Sequence, residues 1–413
     1  MIDRWMLLLF WGSVAITFYT QLGYPLLMRC FARLFGRPAR ELPPLADSEL
    51  PSVSLVISAF NEEVVLEDKL RNALEIDYPR DRLEIVVASD GSRDRTVEIA
   101  QQFVPLGIRL LAYPVNRGKS TTLTEAVGTV RGDVLLLCDA NVMFRRDALR
   151  LLVERLRDPA VGAVTGDVRL DSGQADFGEG ESLYYRIERR LQLDESALGS
   201  IIGVDGGMYV LRRELFPGIP SSTLNDDFLL SMRVLRAGYR VLYEPRAVAT
   251  ETATMHAEDE FRRRIRVAAG AAQILRRGEF PPPWQPFNFF CWVSHKLLRW
   301  IAPVFLVTAL ISNVWLLPHG WLYVLALITQ GLLYGVAWLA WWRPGVRSRR
   351  WARIPFYFVF SHVAIARGML RGFLFQQSGA WQRTARVVTP AGGDQPAGQT
   401  QPETPSSASP DRS

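Results

Sequence analysis

The chain has 413 residues, 48% of them hydrophobic, and carries 48 Lys and Arg against 42 Asp and Glu, a formal net charge of +6. That length exceeds one ordinary domain. Cys30, Cys138 and Cys291 have neither metal-ligand spacing nor the pairing of a disulfide framework, which excludes a stapled secreted scaffold.

In chain order, residues 5–28, WMLLLFWGSVAITFYTQLGYPLLM, carry no charge and are long enough to cross a bilayer. A secretory signal would need a short apolar core and a small-residue cleavage site, so residues 1–28 read as a retained N-terminal transmembrane helix. Arg29, Arg33, Arg37 and Arg40 follow it, against only Asp3 and Arg4 before it. Residues 29–50 are therefore expected to be a basic cytoplasmic linker.

From there strands and helices alternate. SVSLVISAF (52–60) is a β-rich run, followed by Val64, Leu66, Leu70 and Leu74 at roughly helical spacing. RLEIVVASD (82–90), IRLLAYP (108–114) and the strand opening at 133–138 continue the series, with helices at RDRTVEIAQQF and around 119–130. The pattern predicts an α/β fold with a parallel, doubly wound sheet. Ligands of such sheets sit at the carboxyl ends of the strands, so Asn61, Asp90 and Asp139 should converge on one crevice. The second half is less regular. Strands are expected at 161–170 and 239–250, a long amphipathic helix at 183–198, and a Gly-kinked strand entering a turn at 204–216.

Several short segments carry the candidate chemistry. Asp90 ends a strand, where it can accept from a base N–H or a ribose hydroxyl, while Asp94 suits a helix N-terminus. NRGKSTTLTEA (116–126) ends like a phosphate loop, but it lacks the other glycine and the strand leading directly in; a P-loop is excluded. Lys119 is then either near a phosphate or solvated. Four aliphatic residues, Val134 to Leu137, precede Asp139-Ala140-Asn141, and no basic neighbour follows until Arg145. Asp139 and Asn141 are hard oxygen donors of the kind that hold Mg²⁺ or Mn²⁺ beside substrate phosphates; an Asx-turn that ends the strand is the rival reading.

In TLNDDFLLSMRVLRAGYRVLYEP (223–245), Phe228, Leu229, Met232 and Leu235 make one helical face, with Asn225 or a neighbour as cap. Asp226 and Asp227 exceed what capping needs, and like charge raises the pKa of one, which suits a general base. The helix EDEFRRRIRVAAGAAQIL (258–275) carries Arg262, Arg263, Arg264 and Arg266, aimed at a lipid surface or at a pyrophosphate. His256 reads as a loop or gating residue. These elements bound a cytoplasmic catalytic domain at 51–280.

A second apolar block follows. Residues 281–300 read as an interfacial helix and 301–376 as a C-terminal transmembrane region. Within it Ile301–Leu317 and WLYVLALITQGLLYGVAWLAWW (321–342) are spans. Residues 354–376, interrupted by His362, Arg367 and Arg371, suit either a span or an interfacial helix. Arg343, Arg347, Arg349, Arg350 and Arg353 place the intervening domain in the cytoplasm by the same positive-inside argument. The basic excess thus needs no nucleic acid; anionic lipid accounts for it. A basic membrane-proximal segment (377–388) and a Pro-, Ser-, Gly- and Gln-rich disordered tail (389–413) end the chain.

Taken together, these motifs resemble the membrane-bound family 2 glycosyltransferases, including hyaluronan-synthase-like and poly-N-acetylglucosamine-synthase-like enzymes. VISAFNEE, VVASDGSRDRT, NRGKSTTLTEAV, LLLCDAN, TGDVRL, VDGGMYVLRRELF, NDDFLLSMRVLRAGYRV and RRRIRV stand in that family's order over roughly residues 50–300. SHKLLRWIAP and WQRTAR are similar to its membrane-proximal pieces. The resemblance implies a GT-A type, Rossmann-like fold between transmembrane helices at both ends. It implies inverting transfer from a nucleotide-sugar donor, a UDP-sugar first, to a lipid-linked or polysaccharide acceptor at the inner membrane. It places Ala59, Asn61, Glu62 and Asp90 around the nucleotide, Lys119 near the donor and Asp139 on the metal. Asp227 becomes the base, and Arg263 and Arg266 the first and fourth positions of Q-x-x-R-W. The chain departs in three places: D-x-D is D-x-N, E-D is D-D, and Val267 stands where processive members have Trp. A non-catalytic scaffold, a transporter and a nucleotidyltransferase are the rival functions.

Overall fold

The computed structural model describes residues 2–37, 43–171, 178–252 and 257–375. His256, Arg40 and the segment from residue 376 onward, including WQRTAR and the expected tail, lie outside the described residues.

Among them eight strands form one sheet: β1 (Val53–Ala59), β2 (Leu83–Asp90), β3 (Ile108–Tyr113), β4 (Val134–Asp139), β5 (Val142–Phe144), β6 (Val161–Asp171), β7 (Met208–Arg212) and β8 (Arg240–Thr252). Their order is β3-β2-β1-β4-β7-β6-β8-β5. The expected parallel arrangement holds for β1 against β2, β1 against β4 and β2 against β3. Beyond β4 the sheet is mixed. β7 runs antiparallel to β4 and β6 antiparallel to β7, while β6 and β8 are parallel and β5 is antiparallel to β8. The strand that follows β4 in the chain, β5, does not pair with it but lies at the far edge of the sheet against β8.

Every residue of β1 is buried, as are Val134 to Cys138 of β4. Both faces are covered, so these strands read as continuous aliphatic runs instead of alternating ones. Leu66, Leu70, Leu149 and Leu152 from helices Leu66–Leu74 and Ala148–Arg155 pack on one face. Leu123, Leu229 and Leu235 from helices Lys119–Thr129 and Asp226–Arg236 pack on the other. The sequence changes direction in the sheet at β1, with β2 on one side and β4 on the other, and that switch point opens the crevice.

Among the described residues three helices are long and apolar enough to cross a membrane: Ile2–Phe35, Pro286–His319 and Trp321–Trp342. The first continues past the expected limit at residue 28, through a π-helical turn at Tyr19–Gly23. The second absorbs both the expected interfacial helix and the expected span, because a π-helical turn at Trp292–Leu297 carries the backbone through without a break. Residues 354–376 do not stand apart either. Residues 354–374 belong to one helix, Arg350–Leu374, which lies against helix Ala257–Arg277. Gly368 and Gly372 make that approach possible, since a Cβ on either would lie 2.5 Å from Ala268 Cβ or 2.6 Å from the Ala269 carbonyl.

A buried polar joint ties the membrane helices to helix Gly178–Leu198. His295 stands between Glu195 (2.8 Å) and Glu188 (2.7 Å), and Tyr24 donates to Glu195 at 2.7 Å. Arg299 adds a 2.9 Å bond to Glu188. Burial alone would raise the Glu188 pKa, but His295, Arg299 and Lys296 hold it well below the usual carboxylate range. Both π-helical turns sit at this joint, where they rotate Tyr24 and His295 toward the same carboxylate.

Candidate active site

The sequence left Asp139 without a basic neighbour; the fold supplies one. Helix Lys119–Thr129 begins beside the end of β4, and Lys119 Nζ lies 2.8 Å from Asp139 Oδ1 and 3.5 Å from Asp226 Oδ2. One ammonium therefore joins a residue from the donor-side strand to the first residue of helix Asp226–Arg236. Burial would push Lys119 down, but Asp139 and Asp226 together hold its pKa above the ordinary lysine value. It is not a solvated surface lysine.

Asp90 builds the loop that delivers Lys119. It is fully buried, and its two carboxylate oxygens accept the backbone N–H groups of Arg117 (2.9 Å) and Gly118 (2.8 Å). Its two oxygens thus clamp the backbone of the loop that precedes Lys119. Asn61 plays a similar part at the end of β1. It adopts φ 54°, a region that asparagine tolerates better than most side chains, and its Oδ1 accepts from Arg93 N at 2.8 Å. Glu62 is buried, with its N–H donated to Thr96 Oγ1 at 2.8 Å, and Ala59 ends β1 with no exposure. Asp94 accepts from Thr96 N at 3.0 Å, as a helix-start carboxylate should.

Asp139 and Asn141 flank the bend between β4 and β5. Lys69, fully buried, supports it from below by donating to the Val142 carbonyl at 2.5 Å, with the Phe144 ring centroid 3.5 Å from Nζ. Burial lowers the Lys69 pKa. Asn141 Nδ2 donates to Glu251 Oε1 at 3.0 Å, and its Oδ1 is buried without a hydrogen-bond partner. Among the described residues no three His, Cys, Asp or Glu side chains cluster tightly enough to hold a metal unaided. Mg²⁺ and Mn²⁺ do not require that; one or two protein oxygens plus substrate phosphates suffice. An orphaned amide oxygen two residues from a carboxylate fits that need.

Asp226 and Asp227 open helix Asp226–Arg236, and Asn225 stands at the N-cap position as expected, but its side chain makes no cap bond. The Asn225 side chain instead reaches the Val267 carbonyl at 2.8 Å and fills the space beside Gly270, fixing helix Ala257–Arg277 against the acidic pair. Asp227 Oδ1 accepts from Phe228 N at 2.7 Å. A Cβ on Gly206 would stand 2.7 Å from Asp227 Oδ2, so the glycine makes room for that oxygen. Burial and the adjacent Asp226 push the Asp227 pKa up to about 6, against the opposing pull of Lys119.

Sequence reasoning passed over Asp205, Glu251 and Lys69. Asp205 precedes Gly206, which lines Asp227, and accepts from Gly207 N at 2.9 Å. Burial, Glu251 and then Asp227 raise its pKa to about 7. The VDGG segment was the available signal: a carboxylate before two glycines marks a backbone folded closely around something. Glu251 carried none, since its place beside Asn141 comes from the β5–β8 register, Val142 opposite Glu251. The expected arginines divide. Arg263 is held by Glu260 through bonds of 2.7 and 2.9 Å, whereas Arg266, one turn further on, is exposed and has no ion pair among the described residues.

Residues 54–218 match the sequence model of "Glycosyl transferase family 2". The chain is 25% identical over 239 residues to the poly-beta-1,6-N-acetyl-D-glucosamine synthase of Staphylococcus epidermidis, covering 56% of this chain and 58% of that protein. It is 23% identical over 256 residues to the synthase of Staphylococcus aureus strain COL, covering 60% and 62%. The chain thus spans about three fifths of these curated relatives. Among solved structures, the mannosyltransferase PcManGT of Pyrobaculum calidifontis, in complex with GDP-Man and Mn²⁺, is similar over 89% of this chain and 99% of its own. The TM-score is 0.67 and the identity 25%.

Proposed function

From a chain whose residues 54–218 form a family 2 glycosyltransferase domain on a GT-A fold, we propose an inverting glycosyltransferase. It moves a sugar from a nucleotide diphosphate sugar to a lipid-linked or polysaccharide acceptor at the cytoplasmic face of the membrane. The observation that carries the reading is the single Lys119 ammonium in contact with both Asp139 and Asp226. Asp90, Asp139 and Asp227 then serve one crevice instead of separate surfaces.

Transfer requires that the anomeric carbon–diphosphate bond break and that an acceptor hydroxyl lose its proton. Asp227 takes that proton. Its raised pKa suits the task, because a base poised near neutrality is ionised yet strong enough to accept. Lys119 offers positive charge at the donor end of the crevice, and Asp90 fixes the loop that aims it. Arg266, unlike Arg263, keeps its guanidinium available for a diphosphate. Asp139 and Asn141 would hold a divalent cation, Mg²⁺ or Mn²⁺. Such an ion, when bound, supplies Lewis-acid stabilisation of the leaving diphosphate.

The GDP-Man of the mannosyltransferase and the N-acetyl-D-glucosamine of the synthases support a nucleotide-linked hexose as donor, a UDP- or GDP-sugar. Val267, in place of an acceptor-stacking tryptophan, favours short products over long polymer. The arginines beside the ends of the first and third spans favour a cytoplasmic crevice at the inner membrane.

Purified membranes offered UDP- and GDP-sugars with Mg²⁺ or Mn²⁺ provide the test. The expected result is acceptor-dependent release of a nucleoside diphosphate, with the product sized by chromatography. Release of pyrophosphate would move the assignment to a nucleotidyltransferase, which shares the donor crevice but breaks a different bond.

A further inference from the structure

We propose that Glu251 supplies the negative charge that Asn141 lacks and orients the Asn141 carbonyl oxygen, so that Asp139, Asn141 and Glu251 act together on a divalent cation. The inference rests on the metal-dependent reading of the crevice given above.

Three observations converge. A carboxylate only accepts, so the Asn141 amide nitrogen must be the atom facing Glu251 across 3.0 Å. The amide oxygen is thereby turned away from Glu251, and it is buried with no hydrogen-bond partner. Leaving a buried oxygen unsatisfied is costly, and a cation beside Asp139 would satisfy it.

The sheet fixes the pair. β5 starts at Val142, directly after Asn141, and Val142 stands opposite Glu251 in the antiparallel β5–β8 register. Glu251 therefore reaches the bend from a strand more than a hundred residues away, which is why no local motif records it. Its position is also independent of Lys119, which is bound to Asp139 on the other side of the bend. The formal charge beside the amide oxygen, one carboxylate on Asp139 and one on Glu251, equals that of two aspartates in one motif. A neutral residue at position 141 then costs the site orientation nothing and charge nothing.

Partners that orient metal ligands typically change affinity 10–100-fold when removed. Mn²⁺ binding to the detergent-solubilised full chain, with UDP or GDP present, can be read from the loss of the free-ion electron paramagnetic resonance signal. E251Q keeps an oxygen to accept from Asn141 and removes only the charge, so the fold should melt as the wild type does. We expect Mn²⁺ to bind E251Q roughly 10–100-fold more weakly, and N141D/E251Q to recover near-wild-type affinity. E251Q binding Mn²⁺ as tightly as the wild type would overturn the role of Glu251, as would a double variant that recovers nothing. A wild-type chain that transfers sugar in chelator and binds no Mn²⁺ would remove the cation reading as a whole, and the two failures are thereby told apart.

Discussion

Asp227 gives the most exposed prediction of the proposed chemistry. Burial and Asp226 move its pKa from 3.8 to about 6. With a pKa near 6 roughly 9% of the group is ionised at pH 5 and about 90% at pH 7, whereas at 3.8 about 94% would be ionised already at pH 5. A base that must be ionised therefore loses about tenfold in kcat/KM between pH 7 and pH 5, with unit slope below the midpoint. D226N removes the adjacent charge and should shift this acid limb to lower pH. D227N should lower turnover by about 10²–10⁴-fold at pH 7 and above, the deficit narrowing as pH falls through the acid limb.

The same shift has a stability consequence of opposite sense. The folded-state pKa lies above the unfolded one, so the folded chain binds more protons between about pH 4 and 6. Stability from this group is present below pH 4 and is lost as pH rises through 6. At pH 7 the ionised carboxylate costs about 1–3 kcal/mol, allowing for its partial contact with solvent. D227N should accordingly melt at a higher temperature than the wild type at pH 7 while being inactive. An acid limb centred near pH 4, or a D227N enzyme that retains turnover within threefold at pH 7, refutes the reasoning; donor-turnover assays across pH 4–8 and thermal melts decide it.

Other substitutions test the surrounding geometry. K119M removes the ammonium between Asp139 and Asp226; without it the carboxylates repel, and the acid limb of the pH–rate profile should move upward while donor KM rises. An unchanged profile would show that Lys119 does not act on the acidic pair. G206A places a methyl group 2.7 Å from Asp227 Oδ2, so kcat should fall at least tenfold, a loss of about 1.4 kcal/mol, with little change in donor KM or melting temperature. A full loss of fold instead would mean that Gly206 serves the core. G368V sets a branched side chain against Ala268 and the Ile265 carbonyl. Overpacking typically costs about 1–3 kcal/mol, and protease sensitivity between residues 257 and 375 should increase; a wild-type digestion pattern would sink the packing account.

The first four strands were legible because burial on both faces leaves a direct mark, an unbroken aliphatic run ending in a polar residue. Asn61, Asp90 and Asp139 stood at those ends and do share one end of the sheet. What each side chain holds was not legible. Asp90 could be read as a ligand for a nucleotide because nothing local shows that Arg117 N and Gly118 N are its partners. Asn225 holds the cap position expected of it, since caps are sequence-local, whereas its side-chain contact is the Val267 carbonyl, 42 residues on. The limits of the membrane helices were misplaced for a related reason. Hydropathy locates apolar stretches, but helix Pro286–His319 continues through polar Ser294, which accepts from the Tyr19 hydroxyl, and through His295 and Lys296, which Glu188 and Glu195 satisfy from another helix.

Charge explains why the departures from the family pattern can coexist with a working crevice. Asp227 bears on Asp139, Asp205 and Asp226, and Glu251 bears on Asp205, while Lys119 is the ammonium beside Asp139, Asp226 and Asp227 and Arg263 acts on Glu260 and Asp205. Burial and the neighbouring carboxylates make two of them hold protons more tightly than usual, Asp227 to about 6 and Asp205 to about 7. A second aspartate at position 141 would add a further charge 3.0 Å from Glu251, where like charges destabilise one another. With Glu251 present, asparagine is the residue that keeps an oxygen at the bend without that penalty. The D-x-N sequence thus follows from the β5–β8 register, and a neutral glutamine at position 251 is the setting in which an aspartate at 141 becomes tolerable.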